Sequence, residues 1–175
     1  MFNWLNHWMR SWFGICLLKR TPQDDGFSYS GLVLALTLYV ASDVLVAAAS
    51  SGWKVGWGMT AIDVLILIAL TFALLKFTNK SERFLQTITA LAGTGGLLGL
   101  MVLPAVQNTT FNTPTEQNSG MLVLFWLVMM VWSVVVRAHI YRHALSQNYA
   151  TGAAVAIVQA MIVLRLVNHW FPQAG

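Results

Sequence analysis

Residues 35–50 read ALTLYVASDVLVAAAS, and Asp43 carries the only charge in this apolar run. The run belongs to a segment close to the ~20 residues with which an α-helix crosses ~30 Å of hydrocarbon. Lipid offers the backbone no hydrogen bonds, so a segment of this kind must be helical to span a membrane. Four further segments share its character, and the sequence predicts an all-α polytopic membrane protein. The five predicted transmembrane helices cover residues 30–49, 58–77, 84–103, 121–138 and 151–170.

The composition supports this fold class. Of the 175 residues, 57% are hydrophobic and only 9% are charged, whereas soluble domains carry about 25% charged residues. The net charge of +4 comes from basic residues near the ends of apolar runs. This pattern favours contact with anionic lipid headgroups and argues against a nucleic-acid partner. Cys16 is the single cysteine, which excludes an intrachain disulfide.

The distribution of Lys and Arg predicts the orientation. With a cytoplasmic N-terminus, eight of the ten basic residues lie on the inner side, and only Lys54 and Arg165 lie on the outer side. The positive-inside rule therefore predicts an N-in, C-out threading, in which the tail 171–175 is external.

Residues 1–18 have a different pattern, with polar residues on one helical face and large apolar residues on the other. This pattern predicts an amphipathic helix in the plane of the headgroups, and a disordered start is the alternative. Pro22 and Gly26 lie in the linker 19–29, which separates this helix from the membrane domain 30–170. The expected headgroup contacts in this helix are Trp4, Trp8, Arg10 and Trp12.

Two motifs have both a structural and a chemical interpretation. Gly95 and Gly99 form a G-x-x-x-G within the third span, which favours close helix packing over a ligand cradle. His139 and His143 share a helical face at i, i+4 spacing, as two metal ligands would. No third ligand follows nearby, so we expect no metal; instead, both histidines, Arg137 and Arg142 are predicted to contact lipid headgroups. No catalytic motif or cofactor motif is present, and the sequence favours a protein that is not an enzyme and holds no cofactor.

Several segments resemble the Yip-type family of small five-span membrane proteins, named for interaction with Rab-type GTPases. They are the run ERFLQTITAL at 82–91, the exit of the third span at Leu103-Pro104 and the Trp-bearing run at 124–145. The resemblance covers most of residues 30–170 and implies five spans without catalytic residues. Eukaryotic members carry an acidic-leucine-tyrosine-glycine-proline stretch before the first span, where this chain has KRTPQDDGFS. The bacterial branch, located in the inner membrane, is therefore the better fit.

The predicted threading places Asp43, Asp63 and Arg165 at one depth. Each lies five or six residues from the outer end of its span, or about 8–10 Å below that boundary at 1.5 Å per residue. A charge in the bilayer costs roughly 2.5–3.5 kcal/mol on insertion scales, so each needs a partner or a route to water. We expect Asp43 to pair with Arg165 and Asp63 to lean toward water near its helix N-terminus. The pair has a structural interpretation and a transport interpretation, and snorkelling of Arg165 is the third alternative.

Two functions follow from these patterns. The first is a non-enzymatic membrane adaptor or assembly factor, which binds another membrane protein or a second copy of itself. The second is a small transporter or channel subunit that uses the layer formed by Asp43, Asp63 and Arg165.

Overall fold

The computed structural model describes residues 2–24, 26, 28–111 and 116–172. Residues 1, 25, 27, 112–115 and 173–175 lie outside this description, and with them parts of the predicted linker and tail. The described residues form six α-helices and one short 3-10 turn at Ser81–Arg83, without a strand. The α-helices are α1 Phe2–Cys16, α2 Tyr29–Ser51, α3 Trp53–Phe77, α4 Phe84–Phe111, α5 Glu116–Leu145 and α6 Tyr149–Trp170.

Helices α2 to α6 are long and apolar enough to cross a membrane. The predicted fold class, all-α with five candidate spans after an N-terminal helix, is therefore confirmed. Their exposed apolar side chains suit a lipid environment, as in a multi-pass membrane protein.

Local sequence explains several helix ends. The Ser28 hydroxyl caps α2 by accepting from Gly31 N at 3.5 Å, and Asn148 Oδ1 caps α6 by accepting from Thr151 N at 2.9 Å. Gly52, with φ of 81°, alone separates α2 from α3. A residue with a Cβ would be strained at this φ, so glycine permits the abrupt reversal.

Helix α4 is the centre of the bundle, because 61% of the most apolar 18-residue stretch in this span is buried inside the protein. It runs parallel to α2 and packs closely against it, because its glycines leave no side chain between the two helices. A Cβ at Gly95 would lie 2.5 Å from the Tyr39 ring, and one at Gly99 would lie 2.8 Å from Ser42 Oγ. Gly96 lies against the backbone of α2 at Leu38. The G-x-x-x-G spacing is thus used within the chain, between α4 and α2.

The bundle has two distinct ends. The α1 end carries the connections at 17–24, 78–83 and 146–148, and from this side α1 packs along α4 as far as Thr94. The Gly52 end carries the turn between α2 and α3. Helices α2, α4 and α6 run from the α1 end to the Gly52 end, and α3 and α5 run back. At the Gly52 end the Phe171 ring packs over Gly58 of α3.

The expectation that Trp8 and Trp12 contact lipid headgroups is wrong. Trp8 is 5% exposed and Trp12 is 1% exposed, because both indoles pack into the protein. Trp8 lies against Gly31 of α2, and Trp12 lies against Gly93 of α4. The two glycines provide the space that these rings fill. Trp4 and Arg10 are exposed on α1.

Candidate functional site: a charged cavity within the spans

A cavity of about 780 Å³ lies among helices α2 to α6. On α2 its lining runs from Tyr39 to Ser50, and on α5 it runs from Val123 to Arg137. At 1.5 Å per residue these stretches extend about 16–21 Å, from mid-bundle toward the Gly52 end. Most of the lining is apolar. The polar side chains on its wall are Tyr39, Ser42, Asp43, Ser50, Asp63, Thr94, Ser133 and Arg137.

Tyr39 connects two charged residues at the deep end of the cavity. Its hydroxyl donates to Asp63 Oδ2 on α3, and it accepts from Arg137 Nη2 on α5 at 3.4 Å. Tyr39 is ten residues from the start of α2, and Arg137 is eight residues from the end of α5. The three groups therefore lie about 12–15 Å inside the helix ends, in the middle of the spans.

Asp43 lies one helical turn beyond Tyr39, on the side of the Gly52 end. It is partly buried and lines the cavity. Asp43 lies close enough to Asp63 to be repelled by it and close enough to Arg137 to be attracted by it, and Thr60 is a side-chain neighbour on α3. Two carboxylates and one guanidinium thus share the wall of the cavity, and with all three ionised their formal charge is −1.

A second polar chain lies behind this wall. Tyr141 donates its hydroxyl proton to Gln159 Oε1 at 2.8 Å, and its oxygen lies 3.1 Å from Thr71 Oγ1. Gln159 is fully buried, and its Nε2 has no hydrogen-bond acceptor among the described residues. Tyr141 also interacts electrostatically with Arg137 and Asp63. The two polar chains are therefore neighbours on α3 and α5, and together they connect α2, α3, α5 and α6, with the second chain nearer the α1 end.

The expected partnership of Asp43 with Arg165 is wrong. Arg165 is exposed on α6 and does not line the cavity, to which α6 contributes Val163 and Val167. Shared depth fixes a position along the bundle axis but not the direction around the helix, and α6 turns Arg165 outward. Asp63 likewise does not lean toward water, because Tyr39 holds its carboxylate. Arg137 is the cation of the site.

The expectation that Arg137 contacts headgroups is wrong for a related reason. The fourth span, predicted at 121–138, continues in α5 to Leu145, which moves Arg137 into the bundle. His139 is also buried rather than facing lipid, and its Nε2 lies 3.1 Å from the backbone oxygen of Arg20. The polar run RAHIYRH therefore remains helical inside the protein, since other parts of the chain satisfy its polar groups.

The remaining residues of this run lie at the α1 end. Arg142 and His143 are partly buried there, and the His143 ring lies 4.7 Å from that of His139. Within the described residues no group of three metal-ligating side chains comes together, so this histidine pair gains no third ligand.

Neighbouring connections cap the carbonyl end of α5. Gln23 Nε2 donates to the His143 carbonyl at 3.0 Å, and Lys80 Nζ donates to the Leu145 carbonyl. Arg83 Nη1 donates to Ser146 Oγ at 2.7 Å. Cations at the C-terminal end of a helix satisfy its free carbonyls and oppose its dipole. These basic residues thus have a structural role in holding the α1 end together.

Tyr39 and Arg137 are the site residues that the sequence did not indicate as such. A tyrosine in an apolar span resembles an ordinary packing residue, and the arginine stood at a predicted span end. One signal in the sequence could have indicated that Arg137 lies inside a helix. The run RAHIYRHAL that begins at Arg137 contains neither Gly nor Pro, so nothing in it ends the span at residue 138.

Comparison of the chain with family models, with curated proteins and with solved structures gives no match.

Proposed function

We propose that this chain is a small non-enzymatic transporter or channel subunit whose solute-binding site is the cavity lined by Asp43, Asp63 and Arg137. One observation carries the proposal: three ionisable groups from three helices share the wall of one cavity within the candidate spans. Ionisable residues inside a membrane are costly, and they commonly mark pathways for ions and substrates. The cavity volume also falls within the ~300–1,000 Å³ typical of sites for small molecules.

The proposal extends to the orientation and the location. Eight of ten basic residues fall on the cytoplasmic side when the N-terminus is placed there, which favours a cytoplasmic α1 end. The cavity then extends toward the outer side of the membrane. The resemblance to bacterial Yip-type proteins leads us to propose the bacterial inner membrane as the location.

Cysteine accessibility tests the transporter proposal. In a Cys16→Ser background, Val46→Cys places a thiol on the cavity wall, and Leu45→Cys places one on the exposed outer surface of α2. A cationic, membrane-impermeant thiol reagent added outside intact cells should modify Val46→Cys and leave Leu45→Cys unmodified in lipid. Failure to modify Val46→Cys from either side of the membrane, or equal modification at both positions, would contradict a solute-accessible cavity.

A membrane adaptor is the second candidate function. Its support is α5, where only 11% of the most apolar 18-residue stretch is buried within the chain, which leaves most of this stretch free to contact another protein or lipid. Capture from native membranes followed by mass spectrometry tests this candidate. A stoichiometric partner that is lost with Trp132→Ala on α5 and retained with Trp53→Ala on α3 would support it. No partner, or one retained with both variants, would argue against it.

A further inference from the structure

We propose that the ligand of the cavity is a lipophilic organic cation of charge +1, and that Asp43 is its counter-charge. This inference rests on the proposed function and adds the substrate class to it. The Tyr39 hydroxyl bridges Arg137 and Asp63, so the carboxylate of Asp63 already balances the charge of the guanidinium. Asp43 is the remaining negative charge on the wall, and one positive charge in the cavity balances it.

The walls decide which kind of cation fits. Most lining side chains are apolar, and they include Trp126, Met129 and Met130 on α5. Aromatic faces attract cations, and thioethers adapt their shape to irregular apolar ligands. A hydrated metal ion would need several oxygen, nitrogen or sulfur ligands, and within the described residues no group of three ionisable ligands forms. An organic cation with apolar substituents uses both the walls and the charge.

The same geometry makes a proton the competitor of the ligand. The wall carries one carboxylate more than it carries cations, and such an excess charge is costly between mostly apolar walls. Either a bound cation or a proton on Asp43 removes it. When Asp43 starts protonated, binding is the exchange Asp43–COOH + cation → Asp43–COO⁻·cation + H⁺, in which atoms and charge balance. The charged or titratable groups that face Asp43 are Tyr39 on its own helix, Asp63 on α3 and Arg137 on α5. Among the described lining residues, α4 and α6 contribute no titratable group.

Tetraphenylphosphonium and tetraphenylborate provide matched probes, because they share size and shape and differ in the sign of their charge. Isothermal titration calorimetry on the detergent-purified chain at pH 8 should detect binding of the phosphonium and not of the borate. Asp43→Asn should weaken phosphonium binding at least tenfold, and Asp43→Glu should retain it. Glu82→Gln removes an exposed carboxylate outside the cavity and should leave binding unchanged. Lowering the pH from 8 to 5 should weaken binding in the wild type and in Glu82→Gln, but not in Asp43→Asn.

Several results would overturn this inference. Equal binding of both probes would indicate partition into apolar surface, and unchanged affinity in Asp43→Asn would exclude Asp43 as the counter-charge. A third result would replace the cation with a zwitterion as the ligand class. In that case the phosphonium fails to bind, a phosphocholine amphiphile binds, and the affinity for this amphiphile falls in both Asp43→Asn and Arg137→Gln. Affinity that stays constant from pH 8 to 5 would exclude exchange with a proton. If Val46→Cys is accessible but the phosphonium does not bind, the ligand class fails and the proposed function stands.

Discussion

The Tyr39 hydroxyl lies between Asp63 and Arg137, donating to the carboxylate and accepting from the guanidinium, and so joins α2, α3 and α5. Each hydrogen bond between membrane helices contributes about 0.6 kcal/mol on average. With two such bonds, Tyr39→Phe should lower the free energy of unfolding by about 1–2 kcal/mol, measured by SDS titration in mixed micelles.

A double-mutant cycle shows whether the phenol acts through Asp63. Tyr39→Phe and Asp63→Asn, alone and combined, should show a coupling energy of about 0.5 kcal/mol or more, because the two residues share a hydrogen bond. Additive effects would mean that Tyr39 contributes by packing alone.

Arg137 and Arg165 provide a matched comparison of two arginines within candidate spans. Arg137→Gln should destabilise the protein by about 3 kcal/mol or more, because it leaves two carboxylates near the cavity without a cation. Arg165→Gln, at an exposed position of α6, should change stability by less than about 0.5 kcal/mol. A larger loss from Arg165→Gln would restore its pairing with Asp43.

The sequence predicted the number and nature of the spans because length and hydropathy determine them directly. It brought Asp43 and Asp63 to one level because depth follows from counting residues along a helix. Counting could not give the angular position of Arg165, which depends on how α6 packs. Nor could it show that Gln23, Lys80 and Arg83 cap the end of α5, since these contacts connect residues at least 60 positions apart.

The expectation for Trp8 and Trp12 on α1 failed for a similar reason. A helix with apolar tryptophans on one face suits a membrane surface, and it equally suits a protein groove. The deciding features are Gly31 and Gly93, which lie far along the chain and accept the rings of Trp8 and Trp12.

Gly93→Ala tests this fit between α1 and the bundle. The added methyl would overlap the Trp12 indole, and overpacking of this kind costs about 1–3 kcal/mol. Gly120→Ala is the control, because Gly120 is also helical and has nothing within 4 Å of the added atom. Alanine favours a helix over glycine by up to about 1 kcal/mol, so the control should be neutral or stabilising. Equal effects on SDS unfolding would show that Trp12 does not occupy this site.

The orientation has a direct test in the Cys16→Ser background. Lys54→Cys lies at the Gly52 end and Asn79→Cys at the α1 end, and both positions are exposed. If the positive-inside threading holds, an impermeant thiol reagent added outside intact cells should label Lys54→Cys, and Asn79→Cys only after permeabilisation. The opposite pattern would reverse the threading and place the Gly52 end, toward which the cavity extends, on the cytoplasmic side.

The native thiol of Cys16 should react slowly without any substitution. Cys16 lies in contact with α4, its Sγ 4.0 Å from the Thr94 carbonyl oxygen, and burial raises the pKa of this thiol from 9.0 to about 11. Because the thiolate is the reactive form, a rise of this size lowers the rate of reaction with a maleimide at pH 8 by about 100-fold relative to the unfolded chain. A fast reaction in the folded protein would mean that α1 leaves the bundle.

The same pKa shift predicts a dependence of stability on alkaline pH. A thiol whose pKa is higher in the folded state contributes stability that is fully present below the unfolded value and is lost as pH rises through the folded value. Thermal stability of the wild type should therefore fall between about pH 9 and 11 more steeply than that of Cys16→Ala, in which other alkaline titrations remain unchanged. The difference between the two melting curves isolates the thiol from lysines and tyrosines that titrate in the same range. Parallel curves for the two proteins would show that Cys16 is as accessible to water in the folded chain as in the unfolded one, and the docking of α1 on α4 would then have to be abandoned.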